Sequence, residues 1–153
     1  MRREDIDNDF KNAAFEYFYW FSRFEFALKE NKYLKSGDKA EPNWDDFISK
    51  MKEQYELSKE AEHLIDMHPK RQMVTSLREL EWKPVGTDHC DNDLCKVVTM
   101  LKTVRNNLFH GGKHGDIDVD SKKRNLELLE TGKLVLDQFS VTASIVSDYR
   151  RIY

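Results

Sequence analysis

Arg105, Asn106 and His110 fall within a six-residue stretch of the sequence, with Lys113 and His114 just beyond it. Side chains of these types suit an anionic ligand. Arginine presents a fixed, permanently charged fork, histidine titrates near neutrality, and lysine adds a mobile positive charge. At about 100° per residue, Arg105 projects between Leu94, Val98, Leu101 and Leu108, in the middle of an apolar stripe. A guanidinium there must meet a carboxylate, a subunit cleft or a bound anion, because burying it unpaired costs on the order of several kcal/mol. His110 lies about 140° further round an ideal helix, so the two share a site only where the helix loosens or ends. Gly111-Gly112 supplies such an end. Lys113 and His114 are auxiliary, since this Gly-Gly-Lys stretch lacks the following helix N-terminus that makes a phosphate-cradling loop strong.

The charge distribution agrees. Between Leu94 and Gly115 there is no Asp or Glu, while Lys96, Lys102, Arg105 and Lys113 give +4 beside His110 and His114. The rest of the chain holds 21 basic against 28 acidic residues, so a net charge of −3 conceals a basic window and an acidic remainder. This excludes a surface coated in positive charge that grips nucleic acid indiscriminately, and favours a confined phosphate site.

These residues need a scaffold. Phe10, Ala14, Tyr17, Phe21, Phe24 and Leu28 alternate at spacings of four and three, which predicts a first helix from about Asp9 to Lys32. Extra aromatics at Phe18, Tyr19, Trp20 and Phe26 widen its apolar surface, as at a bundle centre or against a second subunit. Glu25 projects to the edge of this stripe, where it can pair with Arg105 or tune His110; Arg23 projects away. Asn43 caps a second helix bearing Trp44, Phe47, Ile48, Met51 and Tyr55, ending near Leu57 or continuing, frayed, towards Asp66.

Pro69, Pro84 and Gly86 break the segment from His68 to Asp91, which reads as loop with a short helix through Thr75 to Leu80. The third long helix runs from about Asp91 to Gly111-Gly112 on Leu94, Val97, Val98, Leu101, Val104 and Leu108. Ser121 caps a final helix carrying Leu128, Gly132, Val135, Phe139, Thr142, Val146 and Tyr149, with Gly132 permitting close helix approach. The expected fold is therefore all-α, an up-and-down four-helix bundle with an irregular loop before the third long helix.

At 153 residues, 39% hydrophobic, 35% charged and 12% aromatic, the chain suits one domain spanning residues 1–153. It has neither an apolar run of membrane-spanning length nor the apolar core of a signal peptide, so a cytoplasmic protein away from the membrane is expected. Cys90 and Cys95 are too few for a disulfide scaffold and fit a reducing compartment. Their spacing, even with His89 alongside, lacks the compact pairs of a zinc site, and His63 and His68 lack the helical spacing of a metal pair. No metal or other cofactor is expected.

The string Arg105-Asn106-Asn107-Leu108-Phe109-His110, followed by Gly111-Gly112-Lys113, resembles the signature of the HEPN superfamily (higher eukaryote and prokaryote nucleotide-binding), in which an Arg precedes a His by four to six residues. Phe21-Ser22-Arg23-Phe24-Glu25-Phe26-Ala27-Leu28-Lys29 looks like the opening helix of several HEPN branches, and Pro69-Lys70-Arg71-Gln72-Met73-Val74 is similar to what some branches carry before the motif. The resemblance implies a helical bundle, commonly homodimeric, with the Arg and His of both subunits facing a shared cleft. In catalytic members that cleft is a metal-independent endoribonuclease site, in which the RNA 2′-hydroxyl attacks the adjacent phosphate. It implies phosphate binding and transition-state stabilisation for Arg105, general acid/base work for His110, and orientation by hydrogen bonding for Asn106. Glu25, Lys113 and His114 would border the substrate. The settings implied are defence, including antiviral defence, stress response or a toxin–antitoxin system, with an RNA substrate and an antitoxin or nucleotidyltransferase-like partner.

Other readings stand beside these. Arg105 also suits a structural arginine paired with Glu25. His110 suits a helix C-terminal histidine favoured by the macrodipole. The first-helix aromatics suit core better than base stacking. HEPN bundles also serve as non-catalytic modules for nucleotide or RNA binding and dimerisation.

Overall fold

The computed structural model describes residues 6–109 and 121–151. Among them are six helices and one two-stranded hairpin. Helix α1 (Asn8–Glu30) starts where the Asp7 carboxylate accepts from the Phe10 amide at 3.0 Å, satisfying an amide the helix itself cannot. Phe10, Tyr17, Phe21, Phe24, Ala27 and Leu28 are buried along it. The helix stops at Lys32, whose φ of 67° is left-handed; the Lys32 amide donates to the Lys29 carbonyl and that of Tyr33 to Leu28 at 2.9 Å. This Schellman closure is made without glycine.

The expected second helix is two. Helix α2 (Trp44–Met51) begins at the predicted Asn43 cap, which accepts from the Asp46 amide, and buries Trp44, Phe47 and Met51. Helix α3 (Lys59–Asp66) starts afresh at Ser58, whose hydroxyl accepts from the Ala61 amide, and buries Ala61 and Leu64.

The segment read as loop with a short helix is instead an antiparallel hairpin, β1 (Lys70–Val74) with β2 (Leu80–Pro84), paired from Lys70 with Pro84 to Val74 with Leu80. Thr75 to Glu79 form its turn. The Thr75 amide donates to the Glu79 carbonyl at 2.8 Å, the Thr75 hydroxyl accepts from the Glu79 amide, and Arg78 takes φ 61°. Met73, Val74 and Leu80 are exposed, so neither strand needed the apolar alternation that would have announced it. The structure is thus mostly helical, as expected, but the hairpin departs from an all-α four-helix bundle.

Helix α4 (Asp93–Phe109) is capped by Asn92, whose side-chain oxygen accepts from the Cys95 amide at 2.9 Å, and buries Leu94, Val97, Val98, Leu101 and Val104. Helix α5 (Lys122–Thr142) begins at the predicted Ser121 cap. It ends before the predicted Tyr149: Ser144 turns left-handed at φ 57°, the Ile145 amide closes onto the Ser140 carbonyl, and α6 (Val146–Arg150) follows.

Helix α1 packs along α5 and reaches α6, while α3 lies against α4 and α5. The helices approach closely at Gly132, where an added Cβ would lie 2.5 Å from Tyr17 Cε2. That ring is fully buried and its hydroxyl donates to the Leu101 carbonyl at 2.7 Å, so it has nowhere to move. Phe24 stacks on Trp44 and meets Phe47, Phe139 and Tyr149 edge-on or tilted, tying four helices at one point. No described helix is long and apolar enough to cross a membrane.

Candidate functional site

The last turns of α4 carry the site. Arg105 Nη2 lies 3.5 Å from Glu25 Oε1 of α1, and Arg105 Nη1 donates to Asn106 Oδ1 at 3.0 Å. Its guanidinium also rides over the Phe21 ring, 5.2 Å from the centroid. Sequence projection placed Arg105 mid-stripe. In the structure it sits at the stripe's edge, with 35% of its side chain exposed against 24% for Glu25, so the pair remains open to a ligand. The Trp44 indole N–H donates to the same Glu25 oxygen at 3.1 Å, fixing the carboxylate from the other side. The pairing of Arg105 with Glu25 considered from sequence is therefore present.

Asn106 faces a pocket of about 340 Å³, lined also by Arg71, His89, Thr99, Lys102, Thr103 and Asn107, with no carboxylate in its lining among the described residues. Lys102 spans two environments: its ammonium lies 5.6 Å from the Trp44 ring centroid, and burial pulls its pKa down despite the opposing pull of Asp45 and Glu25. Lys102 thus lines the hollow beside Asn106 while two carboxylates, Asp45 and Glu25, act on its ammonium. The Asn107 amide donates to the Lys70 carbonyl at 2.7 Å, holding β1 as one wall.

Arg71, Lys102 and His89 were not singled out as site residues from sequence. Lys102 could have been found, being one turn before Arg105 and Asn106; Arg71 and His89 arrive through a hairpin and a loop that carried no periodic signal. Arg23 belongs elsewhere: its guanidinium donates to the carbonyls of Asp148, Tyr149 and Arg151, holding the end of α6. His110, Lys113 and His114 lie outside the described residues.

Cys90 and Cys95, which by number suggested a reducing compartment, are joined as a disulfide, with their Cα atoms 5.4 Å apart. The ligand atoms of His89, Cys90 and Cys95 all lie within 4.8 Å of one another, a proximity that their sequence spacing did not suggest.

No family model, curated protein or solved structure matches the chain.

Proposed function

We propose that the protein is a metal-independent endoribonuclease whose complete site forms between two copies of the chain. The observation that carries this reading is the partly exposed Arg105, paired with Glu25 and bonded to Asn106 at the rim of a pocket that also has Arg71 and Lys102 and, among the described residues, no carboxylate in its lining. Such a rim fits a phosphodiester, whose charge grows on the non-bridging oxygens as the 2′-hydroxyl attacks. In this reading Arg105 takes those oxygens, Asn106 orients the guanidinium, and His110 moves the proton. One motif histidine per chain supplies either the base or the acid, so a homodimer supplies both. The exposed Phe15, Phe18 and Tyr19 on α1 offer apolar surface for a second copy. Defence, stress response or toxin–antitoxin control, with an antitoxin or nucleotidyltransferase-like partner, is the setting that follows from the motif.

The test is incubation of the purified protein with a mixed RNA pool in excess chelator. Products ending in a 2′,3′-cyclic phosphate are expected, and Arg105→Ala or His110→Ala lowers the rate by on the order of 10²–10³ or more. Arg105→Ala leaves the fold intact, because a partly exposed ion pair contributes only about 0–1 kcal/mol. An unchanged rate in either variant overturns the assignment. Retained RNA binding without cleavage by the unaltered protein points to the non-catalytic module.

A further inference from the structure

The loop before α4 places three metal-ligating side chains together. His89 Nε2 lies 3.5 Å from Cys90 Sγ, and Cys95, in the first turn of α4, completes the trio. With Zn–N near 2.0 Å and Zn–S near 2.3 Å, a tetrahedral ion sets its nitrogen and sulfur ligands about 3.5 Å apart and two thiolates about 3.8 Å apart. The His89–Cys90 edge already has that length. The Cys90–Cys95 edge needs only the opening of the disulfide and a small rotation of each sulfur. Both cysteines are partly exposed and His89 is exposed, so an ion has access.

The geometry points to a zinc site in the reduced protein, formed by His89 Nε2, Cys90 Sγ and Cys95 Sγ, and mutually exclusive with the disulfide. A dithiol reductant delivers two electrons and two protons to the Cys90–Cys95 bond, giving two thiols and the reductant's own disulfide. Zinc then displaces both thiol protons to solvent and takes the lone pair of the neutral imidazole. Three protein ligands leave a fourth position. Thr99 Oγ1, which donates to the Cys95 carbonyl and sits 3.4 Å from His89 Nε2, borders the same space. His89 and Thr99 also line the pocket beside Asn106, so the fourth position, held by water or by a ligand, adjoins that hollow. The site is independent of the ribonuclease reading, which needs no metal.

The experiment uses the full chain, reduced and then freed of reductant under inert gas, and titrated with Co²⁺ as a spectroscopic stand-in. One equivalent binds, with thiolate-to-cobalt charge transfer and the ligand-field bands of a tetrahedral ion; Zn²⁺ bleaches both and slows thiol alkylation. The oxidised protein binds none. His89→Ala and Cys95→Ser each weaken binding by at least the roughly tenfold that loss of even an outer partner costs. Absence of tetrahedral cobalt in the reduced wild-type chain, or alkylation unaffected by zinc, overturns the proposal, as does a spectrum unchanged in Cys95→Ser. The wild-type measurements decide even where a variant fails to fold.

Discussion

Glu25 holds two donors that compete for one oxygen, the Trp44 indole and the Arg105 guanidinium. Its charge therefore positions Arg105 and also opposes any anion that would take its place. Replacing Glu25 by Gln keeps an oxygen for Trp44 while removing that opposition. Glu25→Gln is expected to tighten RNA binding up to about fivefold at low salt, the scale of an exposed ion pair near 1 kcal/mol, with the gain fading as salt rises. Filter binding across a salt series reads this, and unchanged or weaker affinity at low salt counts against it. Arg105 and Glu25 were legible at this scale because helical projection put a charge in the middle of one apolar stripe and its counter-charge at the edge of another, although the structure moves Arg105 to the edge. The trio of His89, Cys90 and Cys95 was not. Its proximity depends on a loop that folds back from Thr87 to Cys90, where the Cys90 amide donates to the Thr87 carbonyl.

Where helices begin was plain from Asn43 and Ser121, whose side chains accept from amides as the sequence suggested. Where the last long helix ends was not, because α5 closes on Ser144 in the left-handed region and the habitual glycine is missing, whereas α1 stops close to the expected Lys32. The final helix therefore read as continuous through Thr142, Val146 and Tyr149, whereas Thr142 is exposed and the residues buried past the break are Ile145 and Tyr149. Left-handed backbone costs a residue with a Cβ about 1 kcal/mol, part of which glycine returns as unfolded-state entropy. Ser144→Gly is expected to stabilise the fold by about 0.5–1 kcal/mol, raising the melting temperature by about 1–3 °C. Calorimetry on the single variant checks it, and a lowered melting temperature would show that the closure is not strained. The hairpin escaped notice for a different reason: lying on the surface, it buries too little to impose a period on its residues.

For the molecule as a whole, three phenols sit in the apolar interior or at its edge. Burial raises Tyr17 well above its ordinary 10.0, pushes Tyr55 up to about 12, and, with Asp137 beside it, raises Tyr149 strongly. Each stays protonated in the folded chain after its unfolded counterpart has ionised. The stability they provide is complete below pH 10 and is lost as pH climbs from there through the folded values, at up to about 1.4 kcal/mol per pH unit for each. Tyr17→Phe is expected to make that decline shallower, although loss of its bond to the Leu101 carbonyl costs about 1 kcal/mol at neutral pH. Urea midpoints between pH 8 and 11 separate the two effects, and parallel curves for variant and parent would exclude Tyr17 as a contributor. The helical class and the placing of a basic window on the third long helix could be read from the sequence, since both follow from local periodicity and local charge. The pocket could not, because it assembles from a hairpin, a loop and a helix far apart along the chain.

The hydrogen bond from Asn107 to the Lys70 carbonyl ties the base of the hairpin to the helical turn that carries Arg105 and Asn106. Its tip, where Leu77 is 78% exposed, is closed on itself by the hydrogen bonds between Thr75 and Glu79 and stands in solvent. A ligand entering along the hairpin would thus meet exposed apolar surface first and the turn that carries Arg105 last. First contact and final alignment would fall to opposite ends of one fifteen-residue segment, Lys70 to Pro84.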